Sequence, residues 1–321
     1  MRRLTATISA VVLTLALILL GTACVLPAAL TKEVTVGNKN FTEQYIIGHM
    51  MKQLLEDHGF KVNLVSDISS MALREGMEAG DIDICADYTG TAWMVHLGHA
   101  YEPGVDNNEL YQLVKEEERG KGFIWLDPIW NNNTYALASW VAFAEENDVE
   151  TLSDLAALYQ EEGGKIKTFI DFEFSARPDG LPALQEFYGF RIDGAYLMTG
   201  TPGASLTGLE DRQCDVAMVF GTDPIIAKYG WHVYLDDQAF FPPYDLTPYV
   251  RTEVLDKYPE IADILNELVA TFPDGGELAA PEVVAKGQTV WQALNANADI
   301  NKIEPDEVAR EYLVKNGLIK G

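Results

Sequence analysis

Asp81-Ile82-Asp83-Ile84-Cys85-Ala86-Asp87-Tyr88-Thr89-Gly90-Thr91 is an apolar run that ends on an aromatic ring, a glycine turn and a hydroxyl. It reads as a buried strand running into a loop. A near copy stands further along as Cys214-Asp215-Val216-Ala217-Met218-Val219-Phe220-Gly221-Thr222. With Asp83 laid on Asp215, Tyr88 falls on Phe220. The units before them also match. Val34 to Gly37 leads into Asn38-Lys39-Asn40-Phe41 and a helix ending His58-Gly59-Phe60, while Thr168 to Asp171 leads to Ser175-Ala176-Arg177-Pro178 and a helix ending Tyr188-Gly189-Phe190. Lys39 then stands opposite Arg177. In open α/β sheets the carboxyl ends of strands and the starts of the following helices line the ligand crevice. Two such lobes face to face would set two rings and two cations around one cleft. The plainer alternative is the general likeness of any two strand-helix units.

The chain has 321 residues, long for one domain at roughly 100 to 200 residues each, and 48% of it is hydrophobic, enough for two cores. Its net charge of −26, with no basic run after Arg3, argues against nucleic-acid partners, because phosphate binding needs clustered Lys and Arg. The start follows an export pattern: Arg2-Arg3, an apolar run from Ile8 to Leu20, then Gly21-Thr22-Ala23 before Cys24. A Cys directly after small residues looks like the lipid-attachment site of bacterial lipoproteins, although Gly21 holds the place where that motif usually has Leu. Cleavage and release is the alternative. Cys85 and Cys214 read as buried thiols, and the scattered histidines, His96 and His99 included, offer no third ligand for a metal.

Along the chain, Glu33 to Val36 opens a strand. Asn40 or Thr42 is expected to cap a helix that carries Ile46, Ile47, Met50, Met51, Leu54 and Leu55 at helical spacing. A strand over Val62 to Val65, a helix over Ser69 to Ala79 and the strand at Asp81 give a doubly wound, mostly parallel layout. A helix over Asn107 to Lys121 and a strand over Phe123 to Leu126 follow. The chain is expected to pass into a second lobe just after Tyr135. That lobe has helices over Leu152 to Glu161 and Leu181 to Tyr188, with strands over Lys167 to Asp171 and Cys214 to Val219. The return runs through Phe240-Phe241-Pro242-Pro243-Tyr244, with helices over Pro259 to Phe272 and Pro305 to Asn316. The expected organisation is a signal peptide over 1–24, a tether over 25–33, lobe I over 34–136 and 242–321, and lobe II over 137–241. Two crossings predict a hinged α/β pair that closes on a small ligand.

Tyr88 and Phe220 at strand ends, with Tyr135 and Tyr244 at the crossings, fall on the cleft walls of this layout. A cage of ring faces holds a quaternary ammonium, which cannot donate a hydrogen bond and is recognised by its charge and methyl shell. Lys39, Arg177 and the Thr91 hydroxyl supply the opposite polarity, the Arg as a planar fork suited to a carboxylate.

Gly37-Asn38-Lys39-Asn40-Phe41-Thr42-Glu43-Gln44, Asp87-Tyr88-Thr89-Gly90-Thr91, Asn132-Asn133-Thr134-Tyr135-Ala136-Leu137, Arg177-Pro178-Asp179-Gly180 and Phe240-Phe241-Pro242-Pro243-Tyr244 together resemble the osmoprotectant-binding proteins of ABC transporters, those for glycine betaine, choline and carnitine. The likeness runs in order from Val34 to the end. It implies a two-lobed periplasmic-binding-protein fold of type II, an extracytoplasmic location, delivery to a membrane permease, and no catalysis or cofactor. It also implies Tyr88, Tyr135 and Tyr244 in the cage and Lys39, Thr91 and Arg177 on a ligand carboxylate. The chain departs from the family pattern at Phe220, where Tyr is usual, at Ser69-Ser70, and at Thr222-Asp223-Pro224-Ile225. A monomer is expected. A receptor reporting ligand occupancy to a membrane sensor is a rival reading. An enzyme is another, although no nucleophile with a nearby His, H-E-x-x-H or phosphate loop is present. Pairing with both cations would favour a carboxylated betaine over choline by at least about tenfold.

Overall fold

Two five-stranded sheets carry the described residues, 32–273 and 279–321, of the computed structural model. In chain order the strands are β1 (Lys32–Lys39), β2 (Phe60–Ile68), β3 (Ile84–Tyr88), β4 (Phe123–Trp125), β5 (Tyr135–Trp140), β6 (Thr168–Asp171), β7 (Leu197–Gly200), β8 (Val216–Phe220), β9 (Trp231–Val233) and β10 (Leu246–Arg251). The first sheet has the order β2-β1-β3-β10-β4 and the second β7-β6-β8-β5-β9. β1 and β3 run parallel, as do β6, β7 and β8. One strand in each sheet opposes its neighbours: β10 against β3 and β4, and β5 against β8 and β9. Each opposed strand is the one on which the chain arrives from the other sheet. This is the two-lobed, doubly wound architecture that the sequence implies.

The repeat is real in register. Val36 pairs with Ile84 in the first sheet and Thr168 with Val216 in the second. Asp83 accepts from the backbone N–H of Thr35, and Asp215 does the same with Lys167, each across 48 residues of sequence. The apolar stripe of the first helix, α1 (Thr42–Asp57), behaves as its spacing predicts, with Ile46, Ile47, Met50, Met51, Leu54 and Leu55 fully buried. Its cap differs from expectation. Phe41, in extended backbone, holds the N-cap position without a side-chain bond, and Thr42 instead donates to Asp299 at 2.7 Å. Helix α2 (Ser70–Ala79) is capped by the Ser69 hydroxyl, which accepts from the N–H of Ala72 at 3.3 Å, and it ends on left-handed Gly80.

Several elements escape the sequence reading, among them β7, β9, β10 and the helices over Pro202–Glu210 and Pro281–Asp299, and two of them are instructive. β10 contains Pro248, a residue that argues against a central strand, yet it pairs with Ala86 there and its carbonyl accepts from the N–H of Leu126 at 2.9 Å. The helix over Pro281–Asp299 buries Gly287 and Asn295 beside Val283, Trp291 and Leu294, so its inner face is not an apolar stripe. The close contact explains the glycine. A Cβ on Gly287 would lie 1.9 Å from the carbonyl oxygen of Trp130, on the crossing between β4 and β5.

The two crossings are laced side by side. Asp245 accepts from the N–H groups of Asn131 and Asn132 at 3.1 and 3.0 Å, the Asn132 side chain accepts from Tyr244 N–H at 2.9 Å, and Asn133 N–H donates to the Tyr244 carbonyl at 2.8 Å. Asn132 turns with a positive φ of 34°, a conformation that Asn tolerates better than most residues. Gly287→Ala should destabilise the protein by about 1 to 3 kcal/mol through overpacking against this crossing. Gly120→Ala, at a helical glycine with nothing within 4 Å, should stay within about 0.5 kcal/mol or gain slightly. Urea unfolding midpoints of the two variants decide it, and equal midpoints would refute the packing account.

Candidate functional site

The ends of β1, β3, β6 and β8, the start of β5 and the second crossing meet around one cavity of about 580 Å³. Lys39, Tyr88, Thr91, Tyr135, Arg177, Phe220 and Tyr244 all line it, so every residue singled out in the described sequence comes together. Cys24 lies outside the described residues. Tyr135 and Phe220 are register partners on β5 and β8, and their ring centroids lie 5.2 Å apart. Tyr244 meets Tyr135 edge-on at 5.6 Å. A fifth ring joins the set: Phe41 stacks on Phe220 at 5.0 Å and on Tyr88 at 6.2 Å, linking the two halves of the cage. Its position just past Lys39 at the end of β1 was the available signal.

Hydroxyls fix three of the rings. Tyr88 donates to Glu43 at 2.9 Å, Tyr244 donates to Asp179 at 2.7 Å, and Tyr135 accepts from Arg177 Nη1 at 3.1 Å. Gly90 lets the Tyr244 ring approach, since a Cβ there would sit 2.8 Å from it. Glu43, buried on α1, is the common tie point. It accepts from Tyr88, Asn131, Asn133 and Thr222 and so joins α1, the first crossing and the turn after β8. Burial pushes its carboxyl above the ordinary range against the pull of these bonds. The departure at Thr222-Asp223-Pro224 is explained here: Thr222 serves Glu43, and Pro224 starts a short helix, Pro224–Tyr229, at its favoured first position.

Both cations are already paired inside the protein. Lys39 Nζ donates to Asp87 at 2.5 Å and lies 5.1 Å from the Tyr88 ring centroid. Asp87 also meets His96 Nε2 at 3.0 Å. Burial opposes the charge of Asp87, yet Lys39 and His96 hold its carboxyl well below the usual range. Arg177 uses all five of its N–H groups. Nε and Nη2 grip the two oxygens of Asp179 at 2.7 and 2.5 Å, Nη1 reaches Tyr135 and Glu173 at 3.1 and 2.9 Å, and Nη2 reaches Thr91 at 3.2 Å. The expectation of two open cations thus missed their internal partners Asp87, Asp179 and Glu173. In the sequence these acids read as turn and strand-end residues. Asp171, which also lines the cavity, keeps Oδ2 buried without a partner, and burial raises its carboxyl to about 6.

Known proteins resemble this chain in sequence and fold. The family described as the substrate binding domain of ABC-type glycine betaine transport systems matches residues 32–315. The glycine-betaine-binding protein of Pseudomonas aeruginosa is 32% identical over 296 residues, 91% of this chain and 90% of the relative. The glycine betaine-binding protein YehZ of Escherichia coli is 31% identical over 303 residues, 92% of this chain and 94% of the relative. The crystal structure of a glycine betaine/carnitine/choline ABC transporter aligns with a TM-score of 0.65 at 28% identity, covering 89% of this chain and 99% of that one.

Buried carboxyls with opposite shifts predict a stability maximum on the acid side of neutral. Asp171 and Asp245 are raised by burial to about 6, above the roughly 3.9 of an unfolded aspartate, so their contribution is full below about pH 4 and lost as pH rises through about 6. Asp87, Glu173 and Asp179 are lowered, so theirs is present above about pH 4 and lost as pH falls further. The thermal unfolding midpoint should therefore rise as pH drops from about 8 to about 5, then fall below about 4. Asp171→Asn should flatten the upper limb. A midpoint that climbs steadily from pH 5 to 8 would contradict this assignment.

Proposed function

The chain belongs to the family of substrate-binding domains of ABC-type glycine betaine transport systems, and from that premise we propose that its cavity captures a quaternary ammonium osmoprotectant, glycine betaine or a related betaine, outside the cytoplasm and delivers it to the permease of an ABC transporter. The observation that carries this is the cluster of Phe41, Tyr88, Tyr135, Phe220 and Tyr244 around one cavity large enough for a small ligand. Each ring face against a cation contributes roughly 0.5 to 2 kcal/mol, so several together suit a trimethylammonium group that offers no donor. At the other end of the ligand, Lys39, Thr91 and Arg177 receive the carboxylate. Binding and release are the whole of the activity, without chemistry on the ligand.

A second reading has its own observation. The partnerless Oδ2 of buried Asp171 is an acceptor, which suits the hydroxyl of choline or carnitine.

Isothermal calorimetry against glycine betaine, proline betaine, carnitine and choline tests the proposal, with 3,3-dimethylbutanoate as the uncharged-headgroup isostere of glycine betaine. Tyr88→Ala and Tyr135→Ala should each weaken binding by about 0.5 to 2 kcal/mol or more, and the isostere should bind far less tightly than the betaine. Folded variants that bind as tightly as the parent, or an isostere that matches the betaine, would refute the cage.

Attachment to the membrane is the remaining part of the proposal. Among the described residues no helix is long and apolar enough to cross a bilayer. A lipid on Cys24 would tether the chain outside the cell as a monomer, and stable anchoring takes at least two acyl chains. Cys24→Ser should move the protein from the membrane fraction to the soluble fraction, and unchanged partitioning would remove the lipid anchor.

A further inference from the structure

Glu173, just past the end of β6, lies where the clamp comes together. One carboxylate oxygen accepts from Arg177 Nη1 at 2.9 Å, and the other accepts from the backbone N–H of Ser70, the first residue of α2, at 3.2 Å. Burial opposes its charge, yet Lys39 and Arg177 hold it below the ordinary carboxylate range, so both cations favour its ionised form. An anion bound by a guanidinium, the first turn of a helix and a nearby ammonium has the surroundings that a ligand carboxylate would seek.

We infer that Glu173 is a specificity-determining residue: its carboxylate holds the anion position of the clamp, so a ligand carboxylate must exchange with it, whereas a ligand without one need not. The inference rests on the reading of the cavity as a quaternary ammonium site. Arg177 has no unused N–H for a newcomer, so an incoming carboxylate has to displace one of its partners. Asp179 grips one edge of the guanidinium through both of its oxygens and is 1% exposed, and Tyr135 and Thr91 are buried in the cavity wall. The Glu173 side chain is 24% exposed and bonds Arg177 through one oxygen only. It is the partner that leaves at least cost, because water can take over its solvation. Before it leaves, its charge favours a plain cation. Once displaced, it concedes Arg177 and the Ser70 N–H to the ligand. Asp171 beside it adds a second acid to the same wall, which further disfavours an anionic group.

The test is the ratio of glycine betaine to choline affinity, measured by calorimetry on the parent and on Glu173→Gln and Glu173→Ala. Removing the charge should raise the betaine-to-choline ratio by at least about tenfold, through tighter betaine and weaker choline binding. Glu173→Asp, which keeps the charge on a shorter arm, should shift the ratio less and serves if the other variants do not fold. A merely structural role would weaken both ligands together and leave the ratio where it was. A ratio unchanged within about twofold, or moved toward choline, overturns the inference while the quaternary ammonium reading stands. A parent that binds neither compound overturns that reading and this inference with it.

Discussion

A guanidinium removed from water needs an answer for each of its N–H groups, and the way Arg177 is answered organises the cavity. Two of its partners belong to its own turn, Asp179 and Glu173, and one, Tyr135, to the first strand after the crossing. The last, Thr91, comes from the helical turn after β3 in the opposite lobe. The bond to Thr91, the Tyr244 bond to Asp179 and the Glu173 bond to Ser70 therefore tie the two lobes across the cleft. The rings are held by the same network, because the hydroxyls that fix Tyr135 and Tyr244 are partners of Arg177 and Asp179. Charge pairing and cage geometry are thus one construction, and a change in either is felt in both.

Much of the fold was legible because its signals are local. The stripe of α1 and the repeat of strand ends at Tyr88 and Phe220 follow from pattern, and the structure reproduces them down to the matched aspartates Asp83 and Asp215. Two of the elements that were missed depend on partners far away in sequence. Pro248 is acceptable in β10 because it lies opposite Leu126, just past the end of β4, where the Leu126 carbonyl accepts from the Tyr111 hydroxyl at 2.6 Å in place of a backbone N–H. The helix over Pro281–Asp299 buries a glycine because a carbonyl of the crossing lies against it. Neither fact has a local signature.

The site divides along the same line. Ring positions could be read from motif and strand end, since an aromatic at the mouth of a cleft is visible in one dimension. The ionic partners could not. Asp87 lies next to Tyr88 and Asp179 lies two residues past Arg177, but whether a neighbouring acid neutralises a cation or points to water is decided by side-chain direction and burial. Glu43 is the extreme case. A glutamate in the first turn of a helix is ordinarily a solvent-facing complement to the helix dipole, and here it is buried as the junction of lobe and crossing.

The placement of β10 has a consequence for how the molecule comes into being. This strand lies between β3 and β4, so β3 keeps a bare edge and β4 has no place in the sheet until Leu246–Arg251 have arrived. All of the second sheet is made before that, within the loop which β10 must close. Contacts of such long separation are slow to form, though the entropy of closing the loop grows only gently with its length. A chain synthesised from its N-terminus therefore carries an unfinished first half until Leu246–Arg251, at the start of its last quarter, are made. The order of the strands makes compaction of the half that is synthesised first wait on the half that comes last.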